Sequence, residues 1–222
     1  MRIMGVDEAG RGCVLGPLVI AGVLMNPGSM SRLLELGVKD SKLLSPRRRE
    51  SLVKEIQKVA ISIHTIELSP AEIDVAVNNR KRLYKLNRLE ARAMAEAIQA
   101  LKPDIAIVDA SDVLADRFKH HIMECLQFPI HVISEHRADR NYPVVSAASI
   151  IAKVERDHII ERLRTQHGDF GSGYMADPKT VDFLSTLARE GDEYPDFVRR
   201  SWKPAKIAMA EARRKRTLLI EE

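Results

Sequence analysis

Apolar residues fall along this chain in two rhythms. Short runs rich in branched residues come first: Ile3-Met4-Gly5-Val6, then the almost continuous apolar stretch 15–25, interrupted by Gly16, Pro17 and Gly22. Residues 59–66 alternate apolar and polar side chains, which predicts a half-exposed strand. Asp104-Ile105-Ala106-Ile107-Val108-Asp109 and Pro129-Ile130-His131-Val132-Ile133 are short and bounded by Pro, Asp or Ser, as buried strands are. The second rhythm is helical. Ser45-Pro46, Ser69-Pro70 and Asp177-Pro178 each place a capping residue before a proline at the first helical position. Glu72, three residues after Ser69, completes a capping box. Leu86, Leu89, Ala93, Ala97 and Leu101 share one face of a helix over 83–101. Further helices are predicted over 111–127, 144–166 and 178–189, and from about Lys203 onward.

Five strands interleaved with helices, then helices alone, predict an α/β architecture. The sheet is mixed and flanked by helices on both faces, with a helical part toward the C-terminus. Two-residue periodicity puts Ile3, Gly5 and Asp7 on one face of the first strand, and Ile105, Ile107 and Asp109 on one face of the fourth. Each apolar face therefore ends in an acid. If the two strands are neighbours at the sheet centre, both carboxylates meet at the edge where open α/β sheets place their sites.

Composition narrows the class further. At 222 residues the chain can bury a sizeable core, and no run approaches a membrane span. The N-terminus enters a strand at once and lacks the layout of a signal peptide. Two distant cysteines, Cys13 and Cys125, have neither disulfide nor metal spacing, which fits a reducing cytoplasm. The net charge of +4 is unevenly placed: from Arg199 onward eight basic residues face three acids, so this tail carries +5 and the rest −1. A near-neutral body with a basic end reads as a folded domain with a polyanion contact, or as a solvated basic helix face.

The candidate chemistry gathers at Asp7-Glu8-Ala9-Gly10-Arg11-Gly12. Adjacent carboxylates at the end of a buried strand repel each other, and burial disfavours their ionisation unless a cation neutralises them. Two glycines and a guanidinium follow at once. A surface turn or strand-end Asx-turn is the structural alternative for these acids, and Asp139, in a polar loop, has the same alternative. Glu155, Asp157 and Glu161 have the spacing of a solvated helix face. His120, His121 and His131 show no ligand pairing with the acids, and Trp202 reads as an anchor of the tail. An all-oxygen acidic set points to Mg²⁺ or Mn²⁺ rather than Zn²⁺. Two such ions suit hydrolysis of a phosphodiester.

Asp7-Glu8-Ala9-Gly10-Arg11-Gly12 followed by Leu15-Gly16-Pro17-Leu18-Val19 resembles the opening signature of type 2 ribonucleases H (ribonuclease HII). The resemblance continues through Lys39-Asp40-Ser41-Lys42, Ile107-Val108-Asp109-Ala110, Ala138-Asp139, the run from Val144 to Val154, Gly171-Ser172-Gly173-Tyr174 and Arg200-Ser201-Trp202-Lys203. It covers nearly the whole chain, and the tail is most similar to archaeal members. Cys13, where proline is usual, and Met175-Ala176 after the tyrosine depart from the pattern.

The resemblance implies an RNase H-like fold, with a catalytic domain over residues 1–176 and a basic, helical, substrate-binding segment over 177–222 packed on it. It implies endonucleolytic cleavage of the RNA strand of RNA–DNA hybrids, and cleavage at ribonucleotides embedded in duplex DNA, leaving 5′-phosphate and 3′-hydroxyl ends. Asp7, Glu8, Asp109 and Asp139 would hold the catalytic ions, two of Mg²⁺ or Mn²⁺. Gly10, Arg11 and Gly12 would read the ribose 2′-hydroxyl, Tyr174 would stack on the following deoxyribose, and Lys42 would lie near a phosphate. A monomer with no membrane contact is expected. The competing reading of another class is a hybrid- or junction-binding protein of this fold that does not cut.

Overall fold

The computed structural model describes residues 1–38, 44–80 and 83–220, with side chains to Thr217. The chain packs as two compact units, each drawn from several stretches of sequence.

The first unit, Met1–Ala9, Val19–Glu67 and Arg82–Arg156, contains the sheet. Its strands are β1 (Ile3–Ala9), β2 (Leu18–Met25), β3 (Ser62–Leu68), β4 (Ile105–Asp109) and β5 (His131–Glu135), in the order β3-β2-β1-β4-β5. β1 and β2 are antiparallel, with Ile3 opposite Met25 and Ala9 opposite Val19. β4 lies parallel to β1 on its other side, pairing Val6 with Val108, and β5 lies parallel to β4. The central strands are buried on both faces, so they read as apolar runs; edge strand β3 alternates. The predicted mixed five-stranded sheet flanked by helices is the one observed.

Helices α1 (Met30–Glu35), α2 (Pro46–Val59), α4 (Lys85–Leu101), α5 (Ala115–Met123) and α6 (Ala138–Asn141) belong to this unit, as does the first part of α7 (Pro143–His167). Ser45 caps α2 by accepting from the Arg48 N–H. α4 buries Leu89, Ala93, Met94, Ala97 and Ile98, much the predicted stripe. The start of α7 rides directly on β1. A Cβ on Gly5 would sit 2.3 Å from the carbonyl carbon of Val144, so only glycine permits this approach.

The second unit comprises Gly10–Leu18, Leu68–Lys81 and Asp157–Glu222. It holds α3 (Pro70–Asn78), the end of α7, α8 (Pro178–Glu190) and α9 (Lys203–Ile220). Its core is built from Val14, Leu15, Ile160, Phe170, Leu184, Tyr194, Phe197 and Val198, and Trp202 packs on it, as an anchor would. Phe170 and Phe197 stack at 5.9 Å. Ser69 forms its capping box with Glu72. Asp74 on α3 accepts from the N–H groups of Arg200 and Ser201, at 2.8 and 2.9 Å, tying the approach to α9.

Several boundaries differ from the sequence expectation. The second strand begins at Leu18, not Leu15, because Gly16 turns through φ +83° and Leu15 forms a bridge with Val198. Val59 ends α2 instead of opening β3. Asp139 sits in the four-residue helix α6 rather than in a loop. The short α1, after Pro27-Gly28, has too few residues to show a helical period.

Candidate active site

Asp7 and Asp109 come together because β1 and β4 are parallel neighbours in register. The pairs end at Val6 with Val108, and the next residue on each strand is the acid. Asp139 joins them from the first turn of α6, where the Ala138 N–H donates to Asp109 Oδ1 at 3.1 Å. One carboxylate oxygen from each of Asp7, Asp109 and Asp139 lies within 4.8 Å of the other two. Glu8, half-buried, is not among them, but its charge is near enough to act on Asp7.

Asp7 is 4% exposed, and its carboxyl is held well above the usual carboxylate range. Burial is the largest cause, followed by the negative charges of Glu8 and Asp109; hydrogen bonds from Ser149 and the Glu8 N–H oppose it. The Glu8 N–H bond is 2.7 Å. Three convergent carboxylates, one of them buried and raised in pKa by that burial and by neighbouring negative charge, suit a hard cation, and the all-oxygen donors fit Mg²⁺ or Mn²⁺. Ser149 is a residue that sequence reasoning passed over. Its signal was the small-residue run Ser146-Ala147-Ala148-Ser149, which lets α7 lie close to the strand.

In the second unit the chain turns at Gly10, whose φ of +93° calls for glycine. Gly12 is exposed, and a Cβ there would meet nothing within 4 Å. Neither packing nor a positive φ demands glycine at position 12. Cys13 is fully buried, and its thiol donates to the Gly10 carbonyl at 3.0 Å. The turn is joined to the tyrosine loop: the N–H groups of Val14 and Leu15 donate to the Gly173 carbonyl at 2.9 and 3.2 Å.

Tyr174, half-buried, follows directly. Its loop is fixed on both sides. Thr180 Oγ1 accepts from the Gly173 N–H at 3.0 Å and donates to the Phe170 carbonyl at 2.8 Å. Asp177 accepts from the N–H groups of Ser172 and Lys179, and these bonds, that of Ser172 first, lower its pKa. Met175 packs on the aromatic core. The departures from the family pattern at Cys13 and Met175 therefore sit in well-tied segments. Lys42 lies outside the described residues.

The basic residues of the tail differ in their surroundings. Arg199 is fully buried. Arg200 donates to the Tyr194 carbonyl. Arg213 donates to the Asp192 carbonyl, and Arg216 to the carbonyls of Ala188 and Arg189 and to the Asp192 carboxylate, closing the end of α8. Arg214 and Lys215 are exposed. Of the histidines, His121 is buried against the Tyr84 ring, while His120 and His131 are exposed.

The sequence model of the family Ribonuclease HII matches residues 4–205 of the chain. A ribonuclease HII from Thermococcus onnurineus is 47% identical over 208 residues, spanning 93% of this chain and 89% of that protein. The crystal structure of ribonuclease H2 from Pyrococcus horikoshii superposes with a TM-score of 0.87 at 40% identity, covering 96% of this chain and 99% of that one. The ribonuclease HII of Archaeoglobus fulgidus, solved in complex with PCNA, superposes at 0.83 with 44% identity over 93% of this chain and 96% of that one.

Proposed function

The chain belongs to the ribonuclease HII family and is a ribonuclease H, and from that premise we propose that it hydrolyses the RNA strand of RNA–DNA hybrids and cuts at ribonucleotides embedded in duplex DNA. The observation that carries this reading is the meeting of Asp7, Asp109 and Asp139 within 4.8 Å around a buried carboxyl of raised pKa. A protein that only bound nucleic acid would gain from losing these charges near phosphates.

Asp7, Asp109 and Asp139 hold the divalent ions in this reading, and Glu8 completes the set from the same strand end. When bound, a pair of Mg²⁺ or Mn²⁺ ions would supply an activated water and would offset charge on the leaving oxygen. The attacking water forms a new bond to phosphorus, and the bond to the 3′-oxygen breaks, giving 5′-phosphate and 3′-hydroxyl ends. Ser149 orients the Asp7 carboxylate through its hydrogen bond. Gly10, Arg11 and Gly12 read the ribose 2′-hydroxyl through their backbone, since that group is what distinguishes RNA from DNA at the cut. Tyr174 lays its ring against the next sugar, a deoxyribose.

The decisive experiment incubates the protein with an RNA–DNA hybrid, duplex DNA carrying one ribonucleotide, all-DNA duplex and all-RNA duplex, with and without Mg²⁺ or Mn²⁺. Cleavage of the first two alone, dependent on the ion and leaving 5′-phosphate ends, is the expected result. Tight binding of the hybrid without cleavage in either ion would replace this reading with that of a sensor.

A further inference from the structure

We infer that Arg199 is a positioning residue that orients the Gly10-Arg11-Gly12 turn for reading the ribose 2′-hydroxyl; the inference rests on the substrate reading proposed above. Along the sequence Arg199 opens the basic tail and looks like a phosphate contact. It is instead fully buried, with all three nitrogens of its fork on backbone carbonyls. Nη2 donates to Gly10 at 2.7 Å, Nη1 to Arg11 at 2.8 Å and Nε to Gly16 at 3.1 Å. The Trp202 ring lies over the guanidinium, 5.1 Å from carbon to centroid. The Arg199 N–H itself donates to Val14, so the same residue grips the segment twice.

Removing a guanidinium from water is costly, and an apolar side chain of similar volume would fill this space with less penalty. The charge is explained by what it grasps. In a trans peptide the carbonyl of one residue and the N–H of the next point in opposite directions. Holding the Gly10 and Arg11 carbonyls inward on one planar fork therefore turns the N–H groups of Arg11 and Gly12 the other way. Gly12 has no side chain, and a would-be Cβ there has no neighbour within 4 Å. The Cys13 thiol supports the same orientation from its bond to the Gly10 carbonyl. Three carbonyls in fixed array match a guanidinium; a lysine ammonium, a single point of charge, cannot span them.

The test measures binding, with Ca²⁺ replacing the catalytic ion, to two DNA duplexes identical except for one ribonucleotide. Wild-type protein is expected to prefer the ribonucleotide-containing duplex. Arg199→Met should reduce that preference by about tenfold, the worth of a charge-assisted hydrogen-bond array at one site. Its affinity for the all-DNA duplex should stay within about twofold of wild type, since phosphate contacts are untouched. Arg199→Lys should fall between the two, and it carries the test should Arg199→Met fail to fold. Folded variants that keep the wild-type preference overturn the inference, and so does a parallel loss on both duplexes, which would make Arg199 merely structural. A wild-type protein that binds both duplexes alike overturns the substrate reading itself.

Discussion

Asp109 and Asp112 stand three residues apart, yet their surroundings are opposite in kind. At the carboxylate edge, Asp109 meets Asp7 and Asp139, and burial, then the charges of Glu8 and Asp109, raise the pKa of Asp7. Asp112, buried where Asp109 is half-buried, accepts from Asn87 at 2.7 Å, from the Leu114 N–H at 3.1 Å and from both ends of the Arg117 fork. Its pKa is driven well below the usual carboxylate range, with the Arg117 hydrogen bond as the largest cause. One group of acids is crowded by its like and the other is neutralised within the protein. Buried carboxylates paired at home hold a fold together. The acids gathered around Asp7 instead carry the cost of its burial and of repulsion from Glu8 and Asp109, a cost that a bound metal ion would offset.

The comparison breaks most visibly at Asp7. Asp7→Asn is expected to lower cleavage of an RNA–DNA hybrid by at least about a thousandfold, the equivalent of several kcal/mol of lost charge stabilisation. Relieved of repulsion from Glu8 and Asp109, the metal-free variant should melt above the wild type. Steady-state cleavage and thermal melting in a chelator check both halves. Near-normal turnover, or a lowered melting temperature, would remove Asp7 from the metal set.

Asp112→Asn should do the reverse, with a smaller effect. It loses the carboxylate that Arg117, Asn87 and Leu114 share, at a cost of about 2 kcal/mol. Cleavage per folded molecule should be unchanged. Denaturant unfolding and active-site titration separate the two quantities, and a loss of kcat would place Asp112 in the machinery.

The acid limb sharpens the same contrast. A carboxyl whose folded pKa lies below its unfolded value contributes stability that is full above the unfolded pKa, about 4. That contribution fades as pH falls through the folded value. Asp112 and Asp169 are both of this kind, Asp169 lowered to about 2 by Lys179 first and then by the Gly171 N–H. Stability of the wild type should therefore decline from about pH 4 downward, and Asp112→Asn should flatten the decline. Equal slopes for wild type and variant, from denaturant titrations at several pH values, would show that Asp112 is not the source.

What the sequence disclosed follows from how local each signal is. Strands β1 and β4 were legible because apolar runs ending in Asp7 and Asp109 need no distant partner to be recognised. Capped helices announced themselves through Ser45-Pro46, Ser69-Pro70 and Asp177-Pro178. Their neighbours in space did not. Arg199 reads as one of a basic cluster until the carbonyls of Gly10 and Arg11, nearly the whole chain away, close on it. Thr180 and Ser149 are ordinary helix residues by pattern, and their bonds to the Gly173 loop and to Asp7 exist only through packing. Asp139 was found by motif, but a helix of four residues, α6, is too short for any periodicity to reveal.

The last expected effect carries the comparison from acids to cations and is the smallest. Arg213 and Arg216 are bonded at home, Arg213 to the Asp192 carbonyl and Arg216 to carbonyls at the end of α8 and to the Asp192 carboxylate, where a cation also complements the helix dipole. Arg214 and Lys215 lie between them along α9 and are exposed. If pairing at home marks a structural charge for cations too, the two pairs must answer differently to salt. Replacing Arg214 and Lys215 with Gln should reduce the slope of log K against log salt by up to about two units, alike for every duplex. Replacing Arg213 and Arg216 should leave the slope in place and instead cost about 1 kcal/mol or less of stability, because Arg216 is partly exposed. Binding isotherms across a salt series, with thermal melts of the same proteins, give both readouts. A slope that shrinks for Arg213 and Arg216 instead would mean that these arginines leave the α8 carbonyls for phosphate, and the rule drawn from Asp109 and Asp112 would stop at the acids.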